Sequence, residues 1–351
     1  MGKLEEIAES FSHSAAHEFH GSSPLYERLS IRIGKDPELL ELAAHAISKP
    51  IPMIFLAAVH FLLLNGTQHP LSAYFPDITP PPNVAAGDPY PAFRDFCLEH
   101  RFEIERIAST HHVQTNEVRR SACLLPAFGI VARQAGGLPL ALVEIGASAG
   151  LNLLWDYYAY DYGNGRLYGD SASPVHLTCA LRGEKIPPFP EEFPVVVSRI
   201  GIDLHPVDVR EDSSANWLRA FVWPEQKSRF ETLERAMAIA RRHPHELRAG
   251  DALELLPDIM STTPPDRALC LFHTFVSNQM PAEGLKRLEK LIAGFGLTRD
   301  VYCISIDFLD RYPRLELLSY TKGVRIRRHL ANCSGHSRWM EWIDHKLTLQ
   351  R

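Results

Sequence analysis

The residues best suited to chemistry lie in one string, Val143-Glu144-Ile145-Gly146-Ala147-Ser148-Ala149-Gly150-Leu151-Asn152-Leu153. An apolar run ends in an acid, a turn of small residues follows, and a second apolar run begins. Glycines in such a turn let a ligand approach the backbone closely. A helix starting after the turn would offer free N–H groups to polar or anionic atoms. Two further acids close apolar runs, Asp203 in Ile202-Asp203-Leu204 and Asp251 in Gly250-Asp251-Ala252. His273 ends a third run, after Leu269-Cys270-Leu271-Phe272, and an imidazole there is a candidate general base. Ser148 has a second reading: between Gly146 and Gly150 it fits a nucleophile on a sharp strand-to-helix turn. That chemistry needs an acid and then a histidine downstream, for which Asp307 or Asp310 with His336 can be nominated.

A polar stretch, His111-His112-Val113-Gln114-Thr115-Asn116-Glu117, connects two apolar helical segments and is followed by Arg120. Gln114, Asn116, Glu117 and Arg120 are expected to line a substrate pocket, with the stretch folded as a lid over the glycine turn. The helix from Glu117 to Gln134 would be about 27 Å long at 1.5 Å per residue. Running antiparallel to the next strand, it would bring its start to the carboxyl edge of a sheet, where ligands bind. Each residue also has a plainer reading. Thr115 or Asn116 can cap that helix, Asp203 and Asp251 can be caps or turn residues, and Glu144 can be a buried acid paired with Arg120. His273 can be a satisfied histidine at a strand end.

Positioning these groups falls to two kinds of segment. Before residue 137 apolar residues recur at three-to-four spacing in Leu4–Phe19, Pro24–Gly34, Pro37–Ile47, Pro52–Leu64, Ala92–Ser109 and Glu117–Gln134, which predicts helices. Gly136-Gly137 is a stop signal. The Pro- and Gly-rich residues 69–91 read as a loop. After Gly137 the period changes. Leu140–Gly146 reads as a strand buried on both faces, followed by strands at Val195–Leu204, His245–Gly250, Ala268–Phe275 and Asp300–Phe308. Helical Ser214–Arg242 and Ala282–Phe295 lie between them. Strands alternating with helices predict an α/β fold with a doubly wound, mostly parallel sheet. Glu316–Cys333 predicts an antiparallel hairpin turning at Lys322-Gly323. The expected organisation is a helical N-terminal lobe over residues 1–136 and an α/β domain over 137–351. An insertion near 160–194 interrupts the second, with a strand pair suggested by residues 175–183.

The glycine string resembles the first motif of class I S-adenosylmethionine (SAM) dependent methyltransferases. Glu144, Gly146 and Gly150 fall on that motif, and Ser148 stands where many members carry a middle glycine. The resemblance implies a Rossmann-like domain with SAM as cofactor. It implies Asp203 on the ribose hydroxyls, Asp251 on the adenine amino group and His273 near the transferred methyl. The interval from Gly146 to Asp203 far exceeds the roughly 20 residues of a compact dinucleotide site, in keeping with the insertion. The wider chain resembles an uncharacterised bacterial family, the domain of unknown function 2332. That likeness runs from the helical N-terminal region through Gln114–Glu117, the glycine turn, Gly201-Ile202-Asp203-Leu204 and Asn216-Trp217-Leu218 to Trp223-Pro224.

The expected function is methyl transfer from SAM to a small molecule or an exposed protein group. Two other classes remain: a non-catalytic SAM- or nucleotide-binding protein, and a serine hydrolase using Ser148. A helical segment before residue 137 and the lack of an HGGG-type oxyanion loop count against the hydrolase. Composition narrows the partners. A net charge of -5 over 351 residues gives no broad basic field for nucleic acid. The densest basic cluster, Arg325, Arg327, Arg328 and His329, alternates with apolar residues as one face of a strand would. Six cysteines stand singly without a CxxC pair, so neither a zinc site nor a redox dithiol is expected. No metal is required. Residues 51–64 are the most apolar stretch and are too short for a membrane span. The N-terminus lacks a secretory pattern, and a cytoplasmic location is expected.

Overall fold

The computed structural model describes residues 2–277 and 279–347. The chain divides into two compact units, Met1–Thr115 with Asp208–Leu233, and Asn116–Val207 with Glu234–Arg351. Its helices in chain order are α1 (Lys3–Ser14), α2 (Pro24–Ile33), α3 (Pro37–Ala43), α4 (Ile51–Leu64), α5 (Tyr90–Glu99), α6 (Arg101–Thr110), α7 (Arg120–Gln134), α8 (Asp212–Ala220), α9 (Lys227–Arg242), α10 (Ala252–Thr262) and α11 (Ala282–Gly296).

The first unit is helical. Asp36 caps α3, its Oδ1 accepting the N–H groups of Glu38 and Leu39, and Pro37 takes the first turn, where its missing N–H costs nothing. The chain breaks at His100, so the single segment expected over residues 92–109 is two helices, α5 and α6. Helix α4 is buried along most of its length, and no helix among the described residues is long and apolar enough to cross a membrane. Residues 208–233 return to this unit because Trp217, Ala220, Phe221 and Trp223 enter the same core as Phe11, Phe55 and Phe96. Polar contacts fix that return: the Trp217 indole donates to the His112 carbonyl at 3.0 Å, and Glu225 accepts from the Ser23 hydroxyl and the Leu25 N–H, each at 2.7 Å.

The second unit is a mixed α/β structure around a large, mostly parallel sheet. Its strands are β1 (Leu140–Ile145), β2 (Ala159–Asp161), β3 (Leu167–Tyr168), β4 (His176–Thr178), β5 (Ala180–Arg182), β6 (Val196–Asp203), β7 (Glu246–Ala249), β8 (Ala268–Thr274), β9 (Val301–Phe308), β10 (Pro313–Thr321), β11 (Val324–Cys333) and β12 (Trp339–Leu347). The large sheet has the order β5-β12-β11-β10-β9-β8-β1-β6-β7. Strands β7, β6, β1, β8 and β9 are parallel neighbours. Strands β10, β11 and β12 then run antiparallel in turn. The β10–β11 hairpin turns at Lys322 and Gly323, both with positive φ (51° and 75°), as a two-residue type I′ turn demands. Arg327 and Arg328 on β11 are engaged by carboxylates, Arg328 by both oxygens of Asp344 at 2.7 Å and Arg327 by Glu289 and Glu316.

Three features differ from the sequence reading. Helix α7 belongs to the second unit: residues 121–131 are buried throughout and Phe128 meets Phe272 of β8 edge to face at 5.3 Å. Helical periodicity shows that a segment has an apolar face without showing which core that face enters. Strands β4 and β5 do not pair with each other. One residue, Cys179, separates them, too few to reverse a chain; β4 joins β2 and β3 in a small sheet and β5 joins β12. After Gly150 the chain forms a short 3₁₀ helix, Leu151–Tyr157, where a longer helix was expected. Cys123, Cys179 and Cys333, remote in sequence, meet as buried free thiols.

Candidate functional site

Alternation along the strands sorts the candidate residues onto two faces. Glu144 of β1 lies opposite Phe272 of β8, and Ile145 opposite His273. Ile145 shares its core with residues of α10 and α11. Glu144 therefore faces α7, and His273 faces the other side. The parallel strands point their carboxyl ends the same way, so Gly146, Asp203, Asp251 and His273 all gather at one edge of the sheet. They do not gather on one face.

The glycine turn is held by its own backbone. Gly146, Ser148 and Gly150 have φ of 69°, 53° and 68°. The N–H groups of Gly146 and Ala147 both reach the Ile202 carbonyl, at 2.8 and 3.1 Å, and Gly150 N–H bonds the Ala147 carbonyl. The Asp203 carboxylate accepts Ser148 N–H at 2.8 Å through Oδ2 and His205 N–H at 2.9 Å through Oδ1. Leu151 N–H donates to the Asn116 side-chain oxygen at 3.0 Å. Asn116 thus caps the 3₁₀ helix after the turn, whereas the plainer reading had it capping the helix that follows it in sequence. Gly146 itself is open to solvent.

On the α7 side of this edge Glu144 is buried. Its Oε1 receives the Asn152 amide at 3.5 Å, and Asn152 in turn accepts from the Ser121 hydroxyl at 2.8 Å. Glu144 Oε2 and the Ser148 hydroxyl are buried without hydrogen-bond partners. Burial pushes the Glu144 carboxyl well above its ordinary range; the Asn152 contact and the Arg120 charge act downward and the Asp203 charge upward. A carboxyl so displaced is held neutral at neutral pH. Arg120 donates to the Thr274 hydroxyl at 3.0 Å and lies 4.4 Å over the Phe275 ring. Glu117 is buried and receives His336 Nδ1 at 2.9 Å. Asn116, Glu117 and Arg120 therefore stand in the second unit with the glycine turn. Gln114, buried, is the penultimate residue of the first segment of the other unit.

On the opposite face His273 Nδ1 lies 3.3 Å from Asp307 Oδ2, though out of line for a hydrogen bond. Burial lowers the His273 pKa, Asp307 raises it and Arg327 lowers it. Asp251 caps α10, its Oδ1 accepting Leu253 N–H at 2.8 Å. For the hydrolase reading, the two nominated partners are engaged elsewhere, Asp307 beside His273 and His336 with Glu117.

Two groups escaped the sequence reading. Asn152 and Ser121 complete the Glu144 relay, and only their helix positions could have suggested it. His245 Nε2 donates to the Ala149 carbonyl at 2.8 Å, bracing the turn from below. Among the described residues one set of His and acidic side chains is spaced for a cation, His69, Asp95 and Glu99 of the first unit. There His69 Nδ1 accepts Leu71 N–H at 3.0 Å, so in a neutral ring the proton sits on Nε2, directed at Asp95 3.4 Å away. No curated protein and no solved structure matches the chain significantly. Residues 8–342 match the family described as "Uncharacterized protein conserved in bacteria (DUF2332)", and the chain belongs to that family.

Proposed function

We propose that the second unit is a Rossmann-like, doubly wound domain that binds SAM at the carboxyl edge of β1 and β6 and transfers its methyl group to a small molecule. The observation that carries this reading is the pair of unpartnered buried polar atoms, Glu144 Oε2 and Ser148 Oγ, beside the solvent-open Gly146. Buried polar atoms left unpaired are rare and call for a partner from outside the chain. Strand order supports the same edge. Taken as parallel strands, β7-β6-β1-β8-β9 follow the order 3-2-1-4-5, and β1 sits where the order reverses, the crevice at which such sheets bind ligands.

The chain's residues fit the cofactor with one departure. Asp203 has spent one acceptor site on each oxygen and keeps others for ribose hydroxyls. A side chain at Gly146 would strike the Val276 methyl at 2.6 Å, so the backbone there is bare. The departure is that the N–H groups of residues 146, 147, 148, 150 and 151 are engaged within the chain. Recognition then falls to side chains, with Asp203 and Glu144 foremost and Asp251 at the next strand end. When bound, SAM supplies an electrophilic methyl on a sulfonium. The protein's part is to hold the acceptor in line with it and to exclude water. His273, facing α11, serves as a base only for an acceptor that reaches over the end of β8.

The hydrolase reading draws on the left-handed Ser148, a strained nucleophile-turn conformation. It lacks a histidine bonded to Oγ. The deciding experiment is a thermal-shift series with SAM, S-adenosylhomocysteine, NAD and a fluorophosphonate. A ligand that binds the folded state raises the melting temperature by mass action. A rise with both adenosyl-sulfur ligands supports the proposal, and no response at millimolar concentration sinks it. A turnover assay then separates an enzyme from a non-catalytic SAM- or nucleotide-binding protein.

A further inference from the structure

Phe275 follows β8 with φ of +61°, a left-handed backbone that costs an L-residue roughly 1–2 kcal/mol. Strain of this kind persists only where surrounding contacts hold it, and it gathers at ligand sites. Its effect is on direction. An extended residue after Thr274 would continue the alternation and share the face of His273. Phe275 instead puts its ring 4.4 Å beneath the Arg120 guanidinium and 5.2 Å from the ring of Phe308. Phe308 ends β9 on the face of Ile306 and Thr274, which is also the face of Glu144. The two rings therefore stand beside Arg120 and Glu144, away from the His273–Asp307 pair.

The surface around them is apolar and open. Phe308 is 50% and Leu309 51% exposed, and Tyr312 a few residues on is 37% exposed. Large apolar side chains exposed singly are ordinary; several together beside buried polar groups are not. An apolar wall next to a few placed polar groups is the composition of a small-molecule pocket. Resting on the reading that this edge binds a small-molecule acceptor, we propose that the acceptor carries a flat, apolar ring, which packs on Phe275 and Phe308 beside Arg120. An aromatic ring against another gains about 0.5–1.5 kcal/mol beyond its buried area. The pair thus favours planar substrates over aliphatic ones of equal size.

The test uses the full chain with phenol, phenylacetate and acetate as probes, followed by saturation-transfer NMR and titration. The two ring-bearing probes are expected to bind in the millimolar range and acetate not to bind. Phe308→Ala should weaken the ring-bearing probes at least five-fold, while Leu297→Ala, a control at a 79% exposed apolar residue elsewhere, should not. Failure of both ring probes to bind overturns the proposal, and so does unchanged binding by Phe308→Ala. If Phe308→Ala instead abolishes a concentration-dependent self-association of the wild type, the patch is a protein interface and the proposal falls. The S-adenosylhomocysteine melting shift, measured on the same samples, keeps the two readings apart. Its absence with ring binding intact removes the cofactor and leaves the ring site.

Discussion

The Asp203 carboxylate accepts the Ser148 N–H at 2.8 Å, so the acid that ends β6 holds the glycine turn that follows β1. One side chain does two jobs in this arrangement: it fixes the turn, and its remaining lone pairs face the ligand edge. Asp203→Ala should therefore lower stability and ligand response together. Hydrogen bonds to a charged group contribute about 1.5–3 kcal/mol each, and urea unfolding should show a loss of that order. The S-adenosylhomocysteine melting shift should disappear. A variant with full stability and a full ligand shift would contradict both roles.

At Ser148 the backbone, and not the hydroxyl, carries the constraint. Its φ of 53° is expensive for any residue but glycine. Ser148→Gly should be neutral or stabilising by up to about 1 kcal/mol, and Ser148→Ala should keep ligand binding. Neither the wild type nor either variant should react with a fluorophosphonate. Specific labelling of Ser148 by mass spectrometry would make the serine a nucleophile.

Gly150 has less freedom. A Cβ there would meet His245 Nε2 at 2.5 Å and Cδ2 at 2.7 Å, with φ at +68°. Gly150→Ala must displace the imidazole that donates to Ala149 and also adopt a left-handed backbone. The expected loss is about 2 kcal/mol or more, from the conformational cost and the broken hydrogen bond. Gly150→Ala in a His245→Ala background should recover part of it, which a double-mutant cycle by denaturation would measure.

Glu144 gives the pH dependence. Burial raises its pKa above the ordinary 4.5, so the folded state binds a proton that the unfolded state has released. Stability from this group is then full below about 4.5 and declines as pH rises toward the folded value. Glu144→Gln keeps the shape and cannot ionise. It should flatten the decline between pH 5 and pH 8 and be the more stable protein at the upper end. Parallel pH profiles of the two proteins in urea would show it, and profiles that run together would refute it.

The sequence by itself determined which segments are helices and strands, the turn at Gly146–Gly150, the hairpin at Lys322-Gly323 and the boundary of family membership. These follow from local rules: apolar period, glycine at positive φ, proline at a helix start. It also set which acids end strands, because Asp203 and Asp251 close apolar runs. Only the tertiary structure decided that α7 enters the core of the sheet-bearing unit, that residues 208–233 return to the helical one, and that β4 and β5 part company. It also separated Glu144 from His273. Both lie near the carboxyl edge, but parity along β1 and β8 sends them to opposite faces. That outcome depends on strand register, which no local pattern in either segment contains. The Asn116 cap on Leu151 and the Ser121–Asn152–Glu144 relay likewise join positions 31–35 residues or fewer apart, and they form only once α7 has packed against β1.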